Sequence, residues 1–321
     1  MGKPKITVIG DVMLDTYTWG RINRLNPEEE GAPLVDFGWE KDIEHRLGGA
    51  ANVAANIARL DTAAELIGLL GDDRAAEKFQ NLCDKQNVYL HGVTSNDPTI
   101  EKRRIMSKKR QILRIDNDRN LTALTTKQRE EILHCLSESS IDYLVFSDYA
   151  KYMADGELVK AVKEFAQNKN IPILADLKPK NFLKFKDIYL IKPNFGEFCD
   201  AVKQLCEGAD GEIAKDDNKM IEKYGKQLVE KLNVNMVVTR SEYGATLITK
   251  EGYVEHIPTK AKAVNDVSGA GDTFMAALTV WLSEGMSLPE AVKFGNKASG
   301  IAVGKVGTAV VSREEMNNTE E

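Results

Sequence analysis

The sequence predicts an α/β protein: a mostly parallel central sheet with helices on both faces, carrying a small β lid. Three observations predict it. Short, apolar, β-rich runs alternate with helix-patterned segments along most of the 321 residues, the mark of parallel strands joined by crossover helices. Several of those runs end in Asp, Asn, Thr or Ser, which puts polar side chains at the carboxyl ends of strands, where open α/β sheets bind ligands. Two stretches, 12–44 and 97–116, break the rhythm, with turn residues and strand-like alternation but no helix between them. No linker or low-complexity segment divides the chain, so a single domain over 1–321 is expected, with those two stretches as its lid.

The first run, ITVIGDV (6–12), reads as a short strand, and Asp15 follows in GDVMLD. After the irregular 12–44 stretch, NVAANIARL (52–60) has helical spacing, AELIGLLG (64–71) reads as a strand and RAAEKFQNLCDKQ (74–86) as a helix. The 97–116 stretch is expected to join 12–44 in a small antiparallel sheet. Strands resume with DYLVFSD (142–148), IPILADL (171–177), IYLIKPN (188–194) and MVVTRS (236–241), each flanked by a helix-like segment. A further helix is expected to begin near Thr273, after VNDVSGAGDTF (264–274). The closing NNTEE is a polar tail.

A formal net charge of -6 argues against general binding to nucleic acid or to a membrane surface, because such proteins normally carry basic excess. Any basic site must be local. The four cysteines are widely spaced, without a CxxC pair or a histidine at zinc spacing, and read as reduced thiols of a cytoplasmic protein. No apolar run approaches 18 residues, so neither secretion nor membrane spanning is expected.

The chemistry concentrates around Gly269, Ala270 and Gly271. If they form the turn into a helix, their amides and the positive end of the helix dipole make an anion site. Asp272 then lines that site, and a carboxylate beside phosphate is costly unless it orients and deprotonates an attacking hydroxyl. Read alone, Asp272 is equally a helix N-cap. Gly48 and Gly49 permit a ligand to approach the backbone closely, and Asn52 offers a donor and an acceptor, although small residues also serve tight helix packing. Asp15 can accept bonds from sugar hydroxyls, or be a turn residue. Asn194 and Glu197 can hold a hydrated magnesium ion beside phosphate oxygens, or form a capping box.

In their order along the chain, GDVMLD, GGAANVAANIARL, KPNFGEF, TRSEYG and NDVSGAGDTF resemble the motif set of the ribokinase or PfkB family of sugar kinases, and the resemblance covers nearly the whole chain. It implies a ribokinase-like fold and ATP-dependent phosphorylation with magnesium. By the same resemblance, Asp272 is the base and the amides of Gly269, Ala270 and Gly271 are the anion hole. Asp15, Gly48, Gly49 and Asn52 match sugar-contacting positions. Asn194 and Glu197 match the Asn-x-x-Glu motif for magnesium, bound through water, and phosphate. Lys178 lies where a cation meets the nucleotide phosphates. Thr239, Ser241, Gly244 and Asn296 match the nucleotide side of the cleft. Some members bind a monovalent cation beside the anion hole, and Asp266, with the backbone around Ala302 and Gly307, is similar to that potassium loop.

Within the family, GDVMLDTYTWG, PTIEKRRIMSKKRQILRID, SDYAK and GKVGTAVVS look most like the branch that phosphorylates D-glycero-D-manno-heptose 7-phosphate at its anomeric hydroxyl, in ADP-heptose synthesis for lipopolysaccharide. Members of that branch are often fused to a nucleotidyltransferase domain, and a homodimer is expected. A separate physical point favours a phosphorylated sugar. Lys102, Arg103, Arg104, Lys108, Lys109, Arg110 and Arg114 gather basic charge on one lid segment of an acidic chain. On a strand, Lys102 and Arg104 share a face and can grip a terminal phosphate while Arg103 faces away; residues 108–110 read as a solvated turn. Two departures from the pattern are the three glutamates of NPEEEGAP and Ser268 before the glycine, where Thr is commoner. The alternatives are a kinase of fructose 6-phosphate or tagatose 6-phosphate and a noncatalytic sugar-phosphate sensor. A nicotinamide dehydrogenase is disfavoured, because no GxGxxG opens a helix.

Overall fold

A computed structural model describes residues 3–318 except 30, 39, 109, 119, 120, 210 and 260–263. Glu30 of the acidic stretch, Lys109 of the basic run and residues 319–321 of the polar tail therefore lie outside the described residues. The amino-terminal part runs β1 (Lys5–Gly10), β2 (Val12–Leu25), β3 (Pro33–Asp36), β4 (Ile43–Gly49), α1 (Ala50–Arg59), β5 (Ala63–Leu70), α2 (Arg74–Lys85) and β6 (Val88–Thr94). Next come β7 (Glu101–Ser107), β8 (Arg110–Asp116), α3 (Thr126–Glu138), β9 (Tyr143–Ser147), α4 (Gly156–Asn168), β10 (Ile173–Asp176), β11 (Leu190–Ile191) and α5 (Phe195–Leu205). The carboxyl part adds α6 (Asn218–Leu232), β12 (Asn235–Thr239), β13 (Ala245–Ile248), β14 (Val254–Ile257), α7 (Ala270–Ser283), α8 (Leu288–Ala302) and α9 (Arg313–Asn318).

Among the described residues, nine strands form the main sheet in the order β14-β13-β12-β11-β10-β9-β1-β5-β6. Every pair from β12 to β6 is parallel, and β13 and β14 are antiparallel additions at one edge. Side chains alternate between two apolar cores. Ile6 and Val8 of β1, Val145 of β9 and Val237 of β12 pack on the side of α1, α7 and α8. Ile9, Leu144, Phe146, Met236 and Val238 pack on the side of α3 to α6. Burial on both faces explains why these strands read as nearly continuous apolar runs. The run at 188–194 shrinks to the two residues of β11: Pro193 has no N–H to give a ladder, and Asn194 already caps α5.

The lid is a second sheet, β3-β2-β7-β8, with β4 also paired to β2. It corrects the expectation of an antiparallel sheet, because β2 and β7 are parallel, Leu14 lying beside Glu101 and Gly20 beside Ser107. The cause is topological. The chain leaves the main sheet for β2 after β1 and for β7 after β6, and the carboxyl ends of parallel strands point the same way. The other lid pairs are antiparallel. Between β2 and β3, Asn26 N donates to the Ala32 carbonyl at 2.8 Å.

Candidate active site

The glycine turn lies where α7 begins, above the carboxyl ends of the central strands. Gly269 is the N-cap in the left-handed conformation, at φ 77°; a Cβ there would meet Asn52 Nδ2 at 2.6 Å, so both backbone and space call for glycine. The helix thus starts at Ala270 and not near Thr273, and Asp272 lies within its first turn, which removes the N-cap reading. Thr273 N donates to the Gly269 carbonyl at 2.9 Å, the first bond within the helix, leaving the preceding amides as first-turn donors. Of these, the Ala270 amide approaches the Val267 carbonyl at 3.3 Å. Gly269, Ala270, Gly271 and Asp272 all line one cleft of about 620 Å³.

Asp272 is only 3% exposed. Its Oδ2 accepts from Asn52 Nδ2 at 2.9 Å and its Oδ1 from the Tyr149 hydroxyl at 2.7 Å. Burial pushes this carboxyl up to about 6, the two hydrogen bonds opposing it, with Asp176 raising it and the Lys192 ammonium lowering it further. A carboxylate tuned into that range and aimed into a cleft can hold or release a proton near neutral pH. Asn52, within α1, therefore bonds to the carboxylate beside the anion turn.

On the lid side, buried Asp15 of β2 accepts from Arg104 Nη1 at 2.6 Å. Lys102 shares the Arg104 face of β7, its Nζ lying 5.4 Å from the Tyr149 ring centroid. Burial lowers the Lys102 ammonium below its ordinary range, while Asp15 and Asp116 act against that. Arg103 points the other way, to Glu101 at 2.7 Å. At Gly48 and Gly49 the missing side chains admit the protein's own groups. A Cβ at Gly48 would meet Asp15 Oδ2 at 2.8 Å, and one at Gly49 would run into the Asp11 carbonyl. They let β4 pack against Asp15 and turn into α1.

Across the cleft, Asn194 and Glu197 do form a capping box at the start of α5, each side chain bonded to the other's backbone N–H at 2.9 Å. The other Glu197 oxygen meets Lys178 Nζ at 2.6 Å. Both carboxylate oxygens are engaged, so the capping reading is realised while Glu197 and Lys178 still line the cleft. Thr239, Ser241, Gly244 and Asn296 line it too. Ser241 holds φ 54°, and Asn296 Nδ2 donates to the Pro258 carbonyl at 2.8 Å. Asp266 accepts from the amides of Ser268 and Gly307, each at 2.9 Å. Burial pushes its carboxyl up, but the hydrogen bonds from Ser268 and Gly307, with the Arg104 charge, outweigh it and hold it below the usual range; the Asp266 side chain thus caps this turn.

Four further residues escaped the reading of the sequence. Asp11, between β1 and β2, accepts four backbone amides, from Tyr149, Lys151, Tyr152 and Met153, at 2.8–3.0 Å. Lys192, 2% exposed, pairs with Asp176 at 2.7 Å beneath the glycine turn. Burial raises the Asp176 carboxyl even beside that ammonium. Tyr149 is the fourth. Lys192 and Tyr149 sat inside quoted motifs, and a lone lysine in the apolar run YLIK was the available signal.

Among the described residues no cluster of three or more His, Cys, Asp or Glu side chains could cage a metal ion. A magnesium ion beside phosphate oxygens needs no such cluster, because it keeps several waters and takes few protein carboxylates. No described helix is long and apolar enough to cross a membrane.

The family model for pfkB family carbohydrate kinases matches residues 4–315. The bifunctional protein HldE of Histophilus somni is 38% identical over 98% of this chain and 63% of its own length. That of Pseudomonas savastanoi pv. phaseolicola is 39% identical over 97% of this chain and 62% of its own. The chain thus spans less than two thirds of these curated relatives. Among solved structures, phosphofructokinase-2 from Escherichia coli in complex with potassium superposes with a TM-score of 0.79 at 21% identity, covering 98% and 97% of the two chains. Ribokinase from Thermotoga maritima gives 0.71 at 23%, covering 97% of each. These likenesses establish a ribokinase-like fold.

Proposed function

The chain belongs to the pfkB family of carbohydrate kinases, and we propose that it transfers the γ-phosphoryl group of ATP to the anomeric hydroxyl of D-glycero-D-manno-heptose 7-phosphate, giving heptose 1,7-bisphosphate and ADP. The observation that carries the sugar-phosphate part is the pairing of Lys102 and Arg104 on one face of β7, beside Asp15. Two cations there suit an acceptor that brings its own phosphate, and a carboxylate suits its hydroxyls. The heptose itself rests on the resemblance of the lid and closing motifs.

Asp272 takes the proton of the acceptor hydroxyl as that oxygen bonds to the γ-phosphorus and the bond to the β,γ-bridging oxygen breaks, leaving ADP. The first-turn donors of α7 face the charge on the transferred group. Lys178 meets nucleotide phosphates, and Thr239, Ser241, Gly244 and Asn296 border the nucleotide. Magnesium, held through water near Glu197 and Asn194, supplies charge neutralisation of the phosphates when bound. Potassium belongs to the same proposal, at Asp266 and the backbone near Ala302 and Gly307. An ATP-consumption screen over heptose 7-phosphate, fructose 6-phosphate, ribose and adenosine, in potassium and in sodium buffer, tests the assignment. The highest kcat/KM is expected for heptose 7-phosphate in potassium; a clear preference for another acceptor rejects the heptose.

Arg104→Ala is expected to raise the KM for the sugar phosphate about tenfold or more, the loss typical of a hydrogen bond to a charged group, with the KM for ATP little changed. Equal effects on both would rule out a phosphate grip.

We further place the enzyme in the cytoplasm, in line with its four unpaired cysteines, and as a homodimer joined through its lids. The lid leaves Leu113 and Ile115 of edge strand β8 54% and 51% exposed, with Leu25 and Phe37 also exposed, an apolar surface that a second copy would cover. Sedimentation of Leu113→Glu is expected to show a shift toward the monomer mass; an unaltered mass in both proteins, or a monomer from the start, contradicts this interface.

A further inference from the structure

Tyr149 sits where the reaction would need open space. Its hydroxyl donates to Asp272 Oδ1 at 2.7 Å while Asn52 Nδ2 donates to Oδ2, so each oxygen of the carboxylate already accepts one hydrogen bond from the protein. Burial and the nearby carboxylates of Asp272 and Asp176 push the phenol well above its ordinary range, so the hydroxyl keeps its proton and acts as the donor. The ring is half-buried and lines the cleft. Lys102 Nζ lies 5.4 Å from its centroid and Lys178 Nζ 5.6 Å. Tyr149 therefore touches one cation from the lid and one from the nucleotide side.

The backbone beneath this side chain is pinned. Asp11 accepts the amides of residues 149 and 151 to 153. Asp148 accepts the Ala150 amide at 2.7 Å through one oxygen, and through the other the Lys178 amide at 3.0 Å and Asn181 Nδ2 at 2.7 Å. Ala150 is held at φ 58°. With the main chain fixed by five side-chain contacts, the phenol can leave Asp272 only by turning about its own side-chain torsions. The two ammonium groups that flank the ring are also the ones an anionic substrate would draw away, loosening the ring as the cleft fills.

We propose that the Tyr149 hydroxyl is a placeholder for the acceptor hydroxyl, occupying Asp272 Oδ1 until the sugar displaces it and so denying that oxygen to water when ATP alone is bound. This inference rests on Asp272 being the base. Without the placeholder, a water molecule gives its proton to Asp272 as its oxygen bonds to the γ-phosphorus and the bond to ADP breaks, so ATP and water become ADP and phosphate. Tyr149 is accordingly a positioning residue, acting through the carboxylate.

The test needs no sugar and is therefore separate from the choice of substrate. ADP release is measured with ATP and magnesium alone, for the unaltered protein, Tyr149→Phe and the double variant Asp272→Asn/Tyr149→Phe. Phenylalanine keeps the ring between the two lysines and removes only the hydroxyl. The single variant is expected to release ADP about tenfold faster than the unaltered protein, the factor that corresponds to losing one competing hydrogen bond. The double variant is expected to fall back to the unaltered rate or below. The acid limb of ADP release is also expected to move upward in pH in Tyr149→Phe relative to the unaltered protein, because the carboxylate has lost a donor that favours its charged form. Asp176, Lys192 and Asn52, which face the same carboxylate, are unchanged in that comparison, as are Asp15, Lys102 and Lys178 around the phenol. ADP release no faster in Tyr149→Phe, or a fast release that survives in the double variant, overturns the placeholder. In the unaltered protein, tyrosine 13Cζ resonances offer a second reading that no folding failure can remove. With heptose 7-phosphate, or with fructose 6-phosphate if that is the accepted sugar, the resonance absent from Tyr149→Phe is expected to shift. For a variant that does not fold, that resonance is assigned by paramagnetic broadening from manganese-ATP, and a resonance that stays in place as sugar saturates the protein overturns the proposal.

Discussion

Asp272→Asn is expected to lower turnover by roughly two to four orders of magnitude, the usual share of a general base, with ATP affinity close to that of the unaltered protein. The substitution keeps size and shape. The new amide can turn its oxygen toward Asn52 and its nitrogen toward Tyr149, so both contacts at 2.9 and 2.7 Å have a counterpart, and the fold has little to adjust. What disappears is the ability to take a proton. Single-turnover rates with saturating ATP and sugar phosphate read that loss directly, and a melting temperature close to that of the unaltered protein excludes a folding defect as its cause. Near-normal turnover would discredit the base assignment. Loss of ATP binding alongside turnover would point to a role in holding the nucleotide.

Lys192→Met is expected to cost about 3–5 kcal/mol of stability, the penalty for removing one partner of a buried ion pair. Lys192 stands at the end of β11, 2% exposed, its ammonium 2.7 Å from Asp176. Without it Asp176 faces Asp272 and Glu197 with no buried cation between them. Burial raises the Asp176 carboxyl and its protonation limits the damage, so the loss is expected to be smaller at lower pH and larger at higher pH. A fall in the urea midpoint with the slope unchanged is the readout. The double variant Asp176→Asn/Lys192→Met should recover part of the loss, since removing both charges relieves the isolated one. A change within about 0.5 kcal/mol, the range of an ordinary surface substitution, would show that the pair does not hold this region together.

How far the sequence could be read follows from where each signal came from. The parallel core was legible because strands buried on both faces must be apolar almost throughout, as at Val145 and Val237 on one side and Phe146 and Val238 on the other. The glycine turn was legible as a pattern, but not the start of its helix: only the backbone of Gly269 at φ 77° shows that the helix opens two residues before Asp272. Lid strands were visible as alternation, yet their pairing was not, since β2 lies parallel to β7 some 85 residues further on, a neighbour fixed by the main sheet. Tyr149 and Asp11 were missed for a related reason. Each matters through partners more than 120 residues away, Tyr149 through Asp272 and Asp11 through the amides of 149–153, and no local periodicity encodes such a contact. Asn194 and Glu197 show the reverse: a motif with two readings turned out to satisfy the capping one in full, which leaves the metal reading to experiment.

The most direct measurement is a crystal structure of the unaltered protein with heptose 7-phosphate and a non-hydrolysable ATP analogue bound together. If Asp272 is the base, an acceptor hydroxyl of the sugar lies within about 3 Å of its carboxylate, in line with the γ-phosphorus and in the place now held by the Tyr149 hydroxyl. A sugar whose nearest hydroxyl stays beyond hydrogen-bond reach of Asp272, or meets a different carboxylate in line with the phosphorus, would contradict the mechanism.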